Sequence, residues 1–260
     1  MKTKNIFLIF LITGTIAIQS GCRRFHCING NDIIITETRN VDFFHKISSE
    51  GWFDVYVIQD SINKIIVEAE SNLMPFIETT VRGSALVIKE QNNQCINNHY
   101  PVRVTVHCND LTEITLSGSG NIAGNTMFFS NFMGIYLPGS GNIFFDVTAP
   151  EIETTISGSG TIDLEVFTDY IDGKISGSGD IRFIGEADRA DLNISGSGNI
   201  QAFGLVQNRC FSTISGSGNM YLFVHDLLDV NISGSGSVFY NGNPDVVINI
   251  TGSGSVIHQP

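Results

Sequence analysis

Ile156-Ser157-Gly158-Ser159-Gly160-Thr161-Ile162 returns nineteen residues later as Ile175-Ser176-Gly177-Ser178-Gly179-Asp180-Ile181. It returns again, after nineteen more, as Ile194-Ser195-Gly196-Ser197-Gly198-Asn199-Ile200. The tetrapeptide Ser-Gly-Ser-Gly also begins at Ser117, Ser215 and Ser233, and close variants begin at Pro138 and Thr251. The eight starts are separated by 21, 19, 19, 19, 20, 18 and 18 residues. A fixed internal period of this kind outranks local propensity as a guide to architecture.

The residues around the motif repeat too. Immediately before it stand Leu116, Leu137, Ile156, Ile175, Ile194, Ile214, Ile232 and Ile250. Two past its last glycine stand Ile122, Ile143, Ile162, Ile181, Ile200, Met220, Val238 and Val256. Steps of two back from the first set again meet mostly apolar side chains, so the apolar period is 2, that of strands with one buried face. Helical repeats need about 33 residues and propeller blades about 40, so both are excluded. A unit of 18–21 residues fits one coil of a parallel β-solenoid, stacked at about 4.8 Å per coil. This predicts an all-β, right-handed parallel β-helix over 111–260, preceded at 30–110 by an irregular β region that continues into it.

The corner glycines are Gly118 and Gly120, Gly139 and Gly141, Gly158 and Gly160, Gly177 and Gly179, Gly196 and Gly198, Gly216 and Gly218, Gly234 and Gly236, and Gly252 and Gly254. They are expected to supply φ > 0 at a tight corner. After the corner, Asn121, Asn142, Asn199 and Asn219 recur, with Thr161 and Asp180 at the same position. Stacked amides there predict a hydrogen-bonded ladder.

These fixed positions explain an unusual composition. The 260 residues hold 27 glycines, 15% charged residues and 42% hydrophobic residues, with a net charge of −12. That much apolar content excludes a disordered acidic tail, and six prolines exclude collagen. An acidic balance excludes a basic nucleic-acid footprint. The acid is concentrated late: residues 111–260 hold 15 Asp/Glu against 4 Lys/Arg.

At the other end, Lys2 and Lys4 precede an apolar run from Ile6 to Ile18. The run is too short for a transmembrane helix of about 20 residues, and a basic start with a small-residue end reads as a signal peptide over 1–21. Ser20-Gly21-Cys22 resembles a bacterial lipobox, in which Cys22 carries the lipid; Gln19 departs from its usual aliphatic residue. Residues 22–29 would then form a lipid-anchored tether, with the membrane as a partner.

The repeated Ser-Gly-Ser-Gly-Asn-Ile resembles the head GIN domain family of auto-transporter adhesins. Gly30-Asn31-Asp32, Thr38-Arg39-Asn40-Val41, Phe44 and Phe53-Asp54-Val55-Tyr56-Val57 also resemble the family's opening pattern. The resemblance covers roughly residues 30–258. It implies a parallel β-helix and a Bacteroidetes-type lipoprotein, lipid-anchored to the outer membrane of a Gram-negative envelope. It brings no catalytic residues and no cofactor. The function expected is non-enzymatic adhesion, binding or envelope architecture, with a glycan or a protein surface as ligand.

The alternative is a carbohydrate-active enzyme, a lyase or glycosidase on the same scaffold, which needs carboxylates across a cleft. Asp163, Glu165, Asp180 and Arg182 form the densest charged cluster, with Asp163 and Arg182 one coil apart; an exterior ion pair is the simpler reading. Sugar-stacking candidates are Phe144, Phe183, Phe203, Tyr221 and Tyr240, each equally suited to packing. The histidines show no spaced metal-ligand pair. His26, Cys27, Cys95 and His99 could assemble zinc, but an exported chain more often oxidises its thiols.

Cys210 falls in the inward ladder of Ile171, Ala190 and Leu228, and Cys108 follows Val102, Val104 and Val106 at period 2. Both are expected buried and free. Cys27 and Cys95 remain as a candidate disulfide, one of three connectivities open to four cysteines. Only six residues follow Gly254. The last coil should therefore show unpaired backbone, and weak homo-oligomerisation through that end is expected.

Overall fold

The computed structural model describes residues 27–91 and 95–259. The leader, Cys22 and His26 lie outside these residues. Within them the chain is a parallel β-solenoid of about eight turns. Mid-stack, one long strand crosses each coil: Thr161–Ile175, Asp180–Ile194, Ile200–Ile214 and Met220–Ile232. Equivalent residues sit directly above one another, as in Ile162, Ile181, Ile200, Met220, Val238 and Val256. A second ladder runs Ile156, Ile175, Ile194, Ile214, Ile232 and Ile250. Most of these residues are fully buried and belong to one continuous core from Phe44 to Val238. β-Branched side chains that fill a half-buried pleat are well suited to this stacking.

The corner glycines correct the backbone expectation. None of the sixteen has a positive φ; among the described glycines only Gly83, Gly185 and Gly242 do. What excludes a side chain is the coil below. Ser195, Ser197 and Ser215 donate their backbone N–H to Ile175, Gly177 and Ile194 carbonyls at 2.8–3.0 Å. A Cβ on Gly196 or Gly198 would then lie far inside 3.0 Å of the Gly177 or Gly179 carbonyl oxygen. Backbone-on-backbone stacking at the corner, not an unusual dihedral, requires glycine.

The N-terminal region does not run through its coils in chain order. Lys46–Ser49 and Asp54–Gln59 form a coil on which Glu113–Leu116 and Asn121–Gly124 stack in parallel. Beneath it lie Ala85–Glu90 and Arg103–Cys108, also parallel, although they come later in the chain. Between these pieces the chain makes antiparallel strands. Lys64–Glu70 pairs with Ile34–Arg39 and Arg103–Cys108, and Ile77–Arg82 pairs with Ala85–Glu90. These strands end both faces of the solenoid. They form a cap that shares the core through Ile65, Val67 and Ile77.

Two of the buried polar side chains in the ladders have no hydrogen-bond partner among the described residues. Ser49 occupies the position that Leu116 fills one coil above, and its hydroxyl has no partner. Gln207 is fully buried with both amide atoms unpartnered, beside a register irregularity in Ile200–Ile214.

Candidate functional site

The polar ladder after the corner is built as its spacing suggests. Asn121 donates to Asp54 at 2.8 Å, and Asn142 donates to Asn121 at 3.0 Å. Higher up, side-chain oxygens accept backbone N–H groups of the next coil: Asn199 to Asp180 at 2.7 Å, Asn219 to Asn199 at 3.0 Å and Ser237 to Asn219 at 2.9 Å. These oxygens are occupied by the stack itself.

The charged cluster lies outside the coils. Asp163 and Arg182 are register partners, with Arg182 Nε donating to Asp163 Oδ2 at 2.9 Å. Asp180 accepts from Asn199. Both Asp163 and Arg182 face solvent to a substantial degree, as a surface ion pair does. The aromatic candidates separate: Phe183 is core, whereas Phe144 is 45% exposed. Tyr221 stacks on Phe239 at 5.1 Å and meets Phe203 edge-on at 5.5 Å. Phe144, Tyr56 and small Ala123 enclose a notch of about 310 Å³.

A larger groove runs along the coils at their second bend, where the inward alternation slips phase. In the coil Thr161–Ile175, Val166 and Ile171 both point inward, so an even period cannot hold between them. The Thr168 hydroxyl bridges the bend, its one proton within reach of the Pro150 and Tyr170 carbonyls at 3.1 and 2.9 Å. Two coils earlier the Ser130 hydroxyl sits in the same way, within reach of the Leu111 and Phe132 carbonyls at 2.9 and 2.8 Å. The resulting groove has a volume of about 570 Å³. One side stacks Phe129, Thr148, Phe167, Glu186 and Val206, with Phe129, Phe167 and Val206 exposed, and the other side includes Asp169, Asp188 and Asn208. The Asn208 amide, then the Arg209 guanidinium, hold the Asp188 carboxyl below its ordinary range, so it stays ionised and paired with Arg209.

At the cap, Cys27 and Cys95 are joined by a disulfide. Cys108 and Cys210 are buried and free. Burial pushes the Cys108 thiol up to about 12 and Cys210 up as well, so neither is a ready nucleophile. Beside the disulfide, Asp32, Glu70 and His99 converge. Glu70 is completely buried. Burial pushes its carboxyl up, but the backbone N–H groups of Asp32, His99 and Tyr100 and the charge of His99 outweigh this and hold it below its ordinary range. Glu70 carries no mark in the sequence because it ends an ordinary alternating strand, and the groove carries none because bends leave no compositional signature.

Fold and groove together define a class: a parallel β-solenoid with an external groove. The chain belongs to the family described as "putative auto-transporter adhesin, head GIN domain", which it matches over residues 43–244. A solved structure from Parabacteroides distasonis, described as a putative lipid binding protein, is 28% identical with a TM-score of 0.84, covering 90% of this chain and 99% of its own. A putative adhesin from Parabacteroides merdae is 25% identical, also at 0.84, over 90% of this chain and 99% of its own. A second putative adhesin from P. distasonis, at 24% identity, shares the fold at 0.85 over 89% and 99%. No curated protein matches the sequence. An adhesin family of this kind goes with a surface or envelope location.

Proposed function

We propose that the protein is a non-enzymatic lipoprotein of the outer membrane, anchored through Cys22, whose solenoid holds an extended glycan along the groove at its second bend. The groove itself carries this reading. Phe129 and Phe167 stand two coils apart on one side, roughly 10 Å by strand spacing. Exposed rings offer sugar faces a stacking surface, with the Thr148 hydroxyl between them, and Asp169 and Asn208 opposite offer partners for sugar hydroxyls. A buried acyl chain would need an enclosed apolar channel. The interior is instead filled by side chains such as Ile181, Phe183, Ile200 and Leu222, which weighs against a lipid inside the coils.

The test is a glycan array and a polysaccharide-degradation screen with the full chain in detergent. Binding of intact polysaccharide, weakened at least tenfold in Phe167→Ala, is expected. Unchanged binding in that variant would remove the groove from the proposal, and shortening of a polysaccharide would favour the carbohydrate-active enzyme. Anchoring is separate: Cys22→Ala is expected to release the protein from membranes, and unchanged partitioning would defeat the anchor assignment.

A further inference from the structure

The cap holds a second cluster, remote in chain and chemistry from the groove. His99 Nδ1 lies 2.8 Å from Asp32 Oδ1 and 3.8 Å from Glu70 Oε1, and one ligand atom of each residue falls within 4.8 Å of the others. One tetrahedral ion with bonds of 2.0–2.2 Å holds neighbouring ligands about 3.3 Å apart, a spacing these distances bracket. We propose that Asp32, Glu70 and His99 form a binding site for a divalent transition metal ion of the zinc type, which fastens the N-terminal segment to the cap.

Three features show a site built for convergence. Glu70 is fully buried, and its two oxygens accept the backbone N–H of Asp32 and of His99, both at 2.8 Å. One carboxylate thus positions the main chains of both other ligands. Gly30 lies against the same carboxylate so closely that any Cβ there would collide with it. The segments bearing Asp32 and His99 are also tied together, by the Cys27–Cys95 disulfide, by the pairing of Ile28 with Ile96, and by a hydrogen bond of 2.8 Å that the Asn97 amide donates to Asn29 Oδ1. The three ligands come from three distant stretches of chain but start from a fixed geometry, as a metal site requires.

The donor set selects the ion. One imidazole nitrogen with two carboxylates suits zinc and its neighbours. Calcium takes six to eight oxygens, and magnesium needs octahedral oxygen with retained water. Three protein ligands leave one position of a tetrahedral ion for water. An ion that binds only the folded cap raises its stability in proportion to the logarithm of ion concentration.

The experiment uses the full chain in detergent, stripped by chelator. Zinc is titrated by calorimetry and cobalt(II) by visible absorption at pH 7.5, beside thermal melts with and without zinc. One equivalent of zinc per chain is expected, with a raised melting midpoint and no competition from millimolar calcium or magnesium. His99→Ala removes an exposed ligand and should weaken zinc at least tenfold and abolish the thermal shift. Asp32→Asn should weaken it less. His107→Ala, which alters the other His–carboxylate pair (Nδ1 to Asp60 Oδ2, 3.0 Å), should bind as the parent does. Absence of saturable zinc binding in the parent, or equal affinity in His99→Ala, would overturn the proposal. So would loss of binding in His107→Ala with His99→Ala unaffected.

Discussion

The two ends of the solenoid solve one problem differently. At the N-terminal end the strands Ile34–Arg39, Lys64–Glu70 and Ile77–Arg82 turn antiparallel and close both faces over a buried Leu73, Met74 and Ile77. At the C-terminal end Asp245–Ile250 and Val256–His258 continue the parallel ladders. There the residues that would be core one coil earlier face solvent: Ile248 is 52% exposed and Ile250 39%. The repeat therefore propagates a core but cannot finish one. Finishing takes residues that break the repeat, including a buried carboxylate, a disulfide and strands of opposite direction.

The largest test of that contrast is one ladder position at two heights. Ile194 is fully buried, whereas Ile250, three coils on, is not. Ile194→Ala should cost about 2–5 kcal/mol by lost transfer and a residual cavity, and Ile250→Ala about 1 kcal/mol or less, since much of its side chain is already hydrated. Urea unfolding of both variants measures the difference. Equal losses would mean that the terminal coil is covered in solution.

Next is the cap. Cys27–Cys95 closes a loop of 68 residues, and removing such a bridge typically costs about 2–4 kcal/mol. Cys95→Ser should therefore destabilise the cap and open the 28–32 segment to amide exchange, while exchange in the coils after Gly158 stays as it was. Alkylation without reduction should leave both cysteines unlabelled in the parent; labelling of either would remove the disulfide.

A third effect is smaller. Gly198→Ala should cost roughly 1–3 kcal/mol, because its Cβ meets a carbonyl fixed between two coils. Gly254→Ala meets the same kind of obstacle, the Gly236 carbonyl, but its coil can lift away. Its cost should be under half that of Gly198→Ala. If the two glycines were required for backbone dihedrals, the costs would instead be alike.

How much of this was legible follows from the same contrast. Ile156, Ile175 and Ile194 announce their ladder because a solenoid repeats local chemistry, so local pattern and tertiary neighbour coincide. The cap has no such redundancy. Nothing in Lys64-Ile65-Ile66-Val67-Glu68 reveals an antiparallel turn, and nothing reveals that 85–108 lies beneath 46–59, because strand order is a long-range property. The corner glycines were legible as positions but not as causes: sequence marks where a Cβ is missing, and only the stacked carbonyl of the coil below says why. The groove escaped because its maker is a phase slip bridged by Thr168 and Ser130 hydroxyls, and such residues are common in exposed turns.

The same logic applies to the flaw inside the stack. Gln207 has both amide atoms buried without partners, and an unsatisfied buried polar group costs roughly 1–3 kcal/mol. Gln207→Met keeps the approximate volume and should raise stability by about 1 kcal/mol, read as a higher urea midpoint with unchanged slope. A loss would show that the amide is held by partners such as ordered water.

The smallest effect concerns acid and the cap-proximal coils. A hydrogen bond from His107, ahead of the opposing pull of burial, holds the Asp60 carboxyl below its ordinary 3.8. A folded carboxyl with the lower pKa binds fewer protons than its unfolded counterpart. Its stabilisation is complete above the unfolded value and disappears as pH falls through the folded one. Asp60→Asn should therefore be slightly less stable than the parent at pH 6, with the difference shrinking as pH falls below 3.8. Asp188 is shifted in the same direction at the groove, so the parent's remaining acid sensitivity should persist in the variant. A difference that grew toward low pH would mean that Asp60 acts through something other than its charge.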